Sequence, residues 1–127
     1  MKFNSQICTT KFQSERLLAL GLKKETADMC IDSMGNIYTY PSTIVEVIKN
    51  DWSLIPLWSI HRLIEMMPML VNPIRNLLVS NRSVEYQMSE GRTTLIFANE
   101  NNIYDNVINC IEWLISVDEF NKEYLEE

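Results

Sequence analysis

The chain holds one histidine and three cysteines, so the search for chemistry starts with His61, Cys8, Cys30 and Cys110. On a helix, His61 and Glu65 would share a face at i, i+4, a spacing that suits an acid/base pair or two metal ligands. A metal ion needs three or four ligands, and no second His or Cys lies near His61 in sequence. The same spacing describes an ordinary surface pair, and the ligand count favours that reading. A reactive cysteine needs an electropositive, partly exposed setting. Cys30 and Cys110 instead sit in apolar stretches and read as small core residues. Gly21, Gly35 and Gly91 are the only glycines, too far apart for a GxGxxG turn or a P-loop. The acid pairs Glu25/Asp28 and Glu119/Glu123 have helical spacing and read as solvated faces, without the raised pKa that general-acid work requires. No catalytic, cofactor-binding or metal-binding residue is assigned.

A different kind of site is legible between Asp51 and Met69, where Trp52, Trp58, Met66, Met67 and Met69 cluster. Such side chains can form an adaptable surface for a partner protein. They can equally be core: Trp58 stapling the start of a helix, Met67 filling a gap. Trp58 and Met67 are read as core. Trp52 and Met66 are read as exposed contacts, Met66 because it falls off the apolar arc of its helix. The predicted partner-binding set is Trp52, His61 and Met66.

The elements that would position these residues follow from local signals. Thr9-Thr10 caps a helix over Lys11–Leu20, with Leu17, Leu18 and Leu20 as its buried contacts and Gly21 closing it in the left-handed region. Lys24 to Met29 reads as a helical turn. Cys30–Asp32 and Ile37–Tyr40 flank Ser33-Met34-Gly35-Asn36 as a hairpin. Residues 42–49 combine a helix start at Pro41-Ser42-Thr43 with β-branched content, and either helix or strand fits. Ser59 caps a helix whose apolar positions are Ile60, Leu63, Ile64 and Met67, and Pro68 stops it. Ile74–Ser80, Val84–Met88 and Thr93–Ala98 read as two or three strands, with a reversal at Ser89-Glu90-Gly91-Arg92 between the last two. Val84, Tyr86 and Met88 alternate with Glu85 and Gln87, giving one dry face and one wet face. After a polar break at Asn99–Asn102, a helix over Ile103–Val117 carries the polar stripe Asp105, Asn109, Glu112, Ser116. The acidic tail Asp118–Glu127 is expected to fray in part, with one more helical turn. Helices and strands that do not alternate strictly indicate an α+β class. The expectation is a single globular domain over residues 1–127, with a small antiparallel sheet of about four to five short strands on about three to four helices.

Composition bounds the remainder. The 127 residues are 46% hydrophobic and 22% charged, ordinary for a globular fold and unlike a disordered chain. Seventeen acidic against eleven basic residues give a net charge of −6, and the basic residues are dispersed. That lacks the footprint of a nucleic-acid binder. Three widely spaced cysteines without a CxxC fit a reducing cytoplasm. No N-terminal apolar run suggests a signal peptide, and none approaches the roughly 20 residues of a membrane helix.

Several segments resemble a family of small proteins from prophage-like and other mobile elements of Bacteroides-type gut bacteria. They are Thr9-Thr10-Lys11-Phe12-Gln13-Ser14-Glu15-Arg16-Leu17-Leu18, Leu20-Gly21-Leu22, Thr26-Ala27-Asp28-Met29, Ile55-Pro56-Leu57-Trp58-Ser59, Leu63-Ile64-Glu65-Met66-Met67-Pro68 and Glu112-Trp113-Leu114-Ile115. Leu57 stands where that family has a small residue, and Cys30 where an aromatic is common. The resemblance implies an accessory role in the host cytoplasm and carries over no catalytic residue, cofactor or substrate. The leading expectation is a non-catalytic, protein-binding accessory protein, with neither nucleic acid nor membrane as partner. An exposed sheet edge also allows a homodimer. Two other functions are carried: an acidic mimic that blocks a host nucleic-acid-binding protein, and a small enzyme using His61 with Glu65 or Asp28.

Overall fold

A computed structural model describes residues 6–39, 53–71, 75–80, 82–88, 93–98 and 102–127. In chain order it contains α1 (Lys11–Ala19), β1 (Met29–Ile31), β2 (Ile37–Thr39), β3 (Ile55–Leu57), α2 (Ile60–Met66), β4 (Leu70–Val71), β5 (Arg75–Val79), β6 (Val84–Met88), β7 (Thr93–Phe97) and α3 (Ile103–Ser116). Single 3₁₀ turns lie at Lys24–Thr26 and Lys122–Tyr124. The class is α+β, and among the described residues the strands form two antiparallel sheets, β2-β1-β3 and β4-β5-β6-β7. The described residues group into two compact units, one up to Leu63 together with Glu123–Glu127, the other from Ile64 to Lys122. Among them, no helix is long and apolar enough to cross a membrane. Trp52, residues 42–49 and the reversal at residues 89–92 lie outside the described residues.

In the first unit, α1 begins with a capping box: Gln13 N–H donates to Thr10 Oγ1 at 3.1 Å, and Thr10 N–H donates to Gln13 Oε1 at 3.0 Å. It ends in a Schellman turn. Gly21 has φ +102°, Gly21 N–H reaches Leu18 O, and Leu22 N–H reaches Leu17 O. Its buried face differs from expectation: Leu17 is buried with Gln13 and Ser14, while Leu18 is exposed. Thr9 and Ser14 join their hydroxyls at 2.7 Å, which satisfies polar groups where an apolar contact was expected.

The hairpin β1–β2 forms as predicted, with Ile31 opposite Ile37. Its turn is held by Asp32, whose Oδ1 accepts the N–H groups of Met34 and Asn36. The sequence reading assigned no element to Ile55–Leu57, which forms β3. Pro56 is tolerated since β3 is an edge strand, paired on one side to β1. Cys8, Met29 and Leu57 form one buried cluster of this unit, with Ile31 and Ile55 packed against them. The further helical turn expected in the tail is present at Lys122–Tyr124. Around it Tyr124 O accepts Lys23 N–H at 2.8 Å, Glu126 N–H reaches Gly21 O at 2.7 Å, and Leu125 bridges to Leu22.

In the second unit, α3 packs on β6 and β7. Asn102 caps it, and Tyr104, Val107, Ile108, Cys110, Ile111 and Leu114 are buried. Trp113 lies 6.2 Å from the Tyr86 ring and 6.4 Å from the Phe97 ring, both tilted. Buried Asn106 donates from Nδ2 to Arg82 O at 3.1 Å, a polar tie that the hydrophobic pattern does not announce. A second Schellman turn closes α3, with Glu119 N–H on Leu114 O and Asp118 N–H on Ile115 O. Here Asp118, not glycine, takes the left-handed position at φ 60°.

Two stability changes follow. Thr9→Val removes the acceptor of the buried Trp58 N–H and is expected to lower unfolding free energy by about 1–3 kcal/mol in urea titration. Asp118→Gly relieves the left-handed Cα–Cβ crowding and is expected to raise it by up to about 1 kcal/mol, whereas Asp118→Ala gives no such gain.

Candidate functional site

Pro68 ends α2 as predicted, and the chain then turns sharply into β4. Two hydrogen bonds fix that turn: Tyr86 donates its hydroxyl to Pro68 O at 2.8 Å, and Leu77 N–H donates to Met69 O at 3.0 Å. With the backbone pinned, the Met69 and Leu70 side chains stay outside, 82% and 58% exposed. Between the last turn of α2 and strands β4 and β5 lies a groove of about 650 Å³. Ile64, Met67, Leu77 and Val79 give it apolar walls, Met69 and Leu70 line it as well, and Glu65 and Asn76 supply polar atoms. Its volume falls in the range of small-ligand and side-chain pockets.

The predicted contact residues are placed differently. His61 is exposed on α2, as expected. Met66 is buried at 4% exposure, which corrects the expectation of an exposed contact. The buried positions of α2 are Leu63 and Met66, with Met67 buried just past its end, so the buried arc is rotated from the one drawn through Ile60, Leu63, Ile64 and Met67. Trp58 and Met67 are core, as read from the sequence. Met69 was named in the Trp and Met cluster but assigned to neither core nor surface, and Leu70 was not singled out. The available signal was their place immediately after a helix-stopping proline, where an apolar pair has no helix face to join.

Of the groups read as possible catalysts, Asp28 serves structure and the three cysteines are buried. Asp28 spends both carboxylate oxygens on Ser59, accepting its N–H at 2.9 Å and its hydroxyl at 2.5 Å. Ser59 Oγ in turn accepts Arg62 N–H at 3.1 Å, which caps α2. Cys8, Cys30 and Cys110 are all free and buried. Burial raises each thiol above its ordinary range, assisted at Cys8 by Asp28 and at Cys30 by Asp32. Burial pushes Cys110 up to about 12. These thiols are held protonated, the reverse of an activated nucleophile. Asp32 is lowered, chiefly by the Asn36 N–H, in its turn-holding role. Among the described residues, no three His, Cys, Asp or Glu side chains gather as metal ligands.

Comparison with family models, curated proteins and solved structures found no match for this chain.

The Cys110 environment predicts an alkaline signature. The unfolded thiol releases its proton near 9.0 and the folded one only near 12. Its contribution is therefore fully present below the unfolded value and is lost as pH rises towards the folded one, by about 1.4 kcal/mol per pH unit. Denaturant titrations from neutral pH to pH ~11 are expected to show this decline. Cys110→Ala, less stable at neutral pH, should show a shallower one.

Proposed function

We propose that this chain is a non-catalytic accessory protein that works by binding another protein through the groove beside α2. One observation carries the reading: Met69 and Leu70 are held outside by a pinned backbone, at an apolar hollow large enough for a partner's side chains. Scattered exposed apolar residues are ordinary, but a rigid apolar rim around a concavity is what hot-spot contacts use. Glu65 and Asn76 at the same hollow supply orienting polar contacts. His61, four residues before Glu65, is a candidate contact at the periphery. Trp52 remains in the proposal on its residue type alone.

The mobile-element setting rests on the resemblance of the Thr9–Leu18 and Leu63–Pro68 segments. Three unpaired buried thiols support a reducing compartment such as the cytoplasm. The Ser59-bound Asp28 speaks against its use as a partner for His61 in an enzyme.

The test pairs capture with reconstitution. Tagged wild-type chain and the double variant Met69→Asp/Leu70→Asp are used to capture proteins from the native host, and the enriched protein is purified and titrated back. Wild-type binding should weaken at least about 100-fold in the double variant, the loss of two hot-spot contacts of ~2 kcal/mol each, with the fold unchanged by circular dichroism. Equal affinity of the two chains for every captured protein removes the groove from the function.

A further inference from the structure

The four-stranded sheet treats its two edges differently. At one end β4 is only two residues long, a common way of blunting an edge. At the other, among the described residues, β7 is the outer strand and runs for five residues. From Thr93 to Ala98 it reads Thr-Thr-Leu-Ile-Phe-Ala, with no charge, proline or glycine. Natural edges of this length are ordinarily guarded by lysine, proline or inward charges. Among the described residues, this one has no guard except a register irregularity opposite Tyr86/Gln87, at its Thr93 end.

The backbone parity of that edge can be worked out. Ser80 N–H donates to Ser83 O, and bonded and non-bonded pairs alternate along an antiparallel ladder. Leu78/Glu85 is then a bonded pair and Val79/Val84 and Leu77/Tyr86 are not. The bond from Leu77 N–H to Met69 O, on the opposite side of β5, agrees. Val84 and Tyr86 must therefore direct their backbone groups to Phe97 and Leu95 across β6–β7. The N–H and C=O of Ile96, between them, point out of the sheet. Its side chain lies in the Leu78-Glu85-Ile96 row and is 55% exposed.

We propose that the outer edge of β7 pairs antiparallel with β7 of a second copy of this chain, with Ile96 opposite Ile96 at the two-fold axis. A two-fold antiparallel pair of one strand is self-complementary: each Ile96 N–H donates to the other's C=O, and the two isoleucines form a cross-strand apolar pair. For a second copy, electrostatics selects this seam over the rest of the surface. The chain carries a net charge of −6, so most of its surface repels a copy, yet this strand carries no charge. The nearest acid in the row, Glu85, would face its symmetry mate across three strand spacings, roughly 14 Å. That exceeds the Debye length of about 8 Å at physiological salt, so the repulsion is screened. The proposal is independent of the groove beside α2.

Sedimentation equilibrium of the full chain at high micromolar concentration tests it. Wild type should show twice the chain mass. Ile96→Pro deletes the outward N–H without touching the ladder to β6, and should show the single-chain mass with unchanged far-ultraviolet circular dichroism. Ile96→Lys keeps the backbone but sets two ammonium groups face to face, and should also halve the mass. Should the proline variant fail to fold, the lysine variant alone decides. A wild type of single-chain mass, or a folded Ile96 variant that keeps double mass, overturns the proposal. Met69→Asp/Leu70→Asp should leave the double mass intact; its loss there would place self-contact in the groove and overturn the β7 seam, whatever becomes of partner binding.

Discussion

The first unit depends on the satisfied burial of Trp58. The side chain is fully buried, and every polar group that its burial would strand has a partner. Its N–H donates to Thr9 Oγ1, its C=O accepts Thr9 N–H, and its indole N–H reaches Thr26 Oγ1 at 3.0 Å. Thr26 in turn donates its hydroxyl to Lys23 O, and Ser59, which follows Trp58, is gripped by Asp28. Residues from the entry to α1, the 3₁₀ turn, the approach to β1 and the start of α2 thus converge on one dipeptide. An indole buried without these partners would forfeit in stranded donors much of what its apolar area contributes. The arrangement explains why Asp28 and Ser59, reactive types on paper, are committed to architecture.

What the sequence made legible was local. Thr10, Ser59 and Asn102 are good caps wherever they stand, Gly21 suits a left-handed residue, and Pro68 stops a helix without regard to tertiary context. The alternation Val84-Glu85-Tyr86-Gln87 likewise declares a half-buried strand, and buried Val84 and Tyr86 agree. The illegible features depend on residues far along the chain. β3 exists because β1 pairs with it despite Pro56, and β4 because β5 offers two residues of ladder. Met66 was misjudged because a seven-residue helix spans barely two turns, so its apolar positions fix the buried arc only loosely. Asp118 escaped notice for a related reason: its left-handed φ is imposed by the closing bonds of α3, while its side chain signals only an acidic tail.

The candidate site was half legible. The Trp- and Met-rich stretch drew attention to the right neighbourhood, but residue type alone could not sort core from surface within it. Met66 and Met67 are buried at 4% while Met69 is 82% exposed, three positions of one residue type with opposite fates. The difference is the backbone. Two residues still in or at the end of α2 follow its buried arc, and the third lies past Pro68, where the Leu77 and Tyr86 hydrogen bonds hold the chain. Sequence reading finds such a residue only if it asks what the helix stop leaves behind.

The distribution of apolar exposure in the second unit then carries a distinction that composition hides. Its α3 is saturated: Val107, Ile108, Cys110, Ile111 and Leu114 are fully buried and their thiol is inert. Among the described residues, exposure falls instead on Met69, Leu70, Leu78, Val79 and Ile96, on strands of the sheet or the turn that enters it, and on Val117 just past the end of α3. A small domain always leaves some apolar surface in water, and scattered residues need no explanation. Here two properties depart from scatter. Met69, Leu70 and Val79 border one concavity, where side chains of another protein would be desolvated. Ile96 stands by itself on an uncharged edge whose outward N–H and C=O call for extended backbone. A concave apolar rim selects side chains, whereas a bare strand edge selects main chain, so the sheet offers two surfaces of different chemistry that one occupant would not satisfy together.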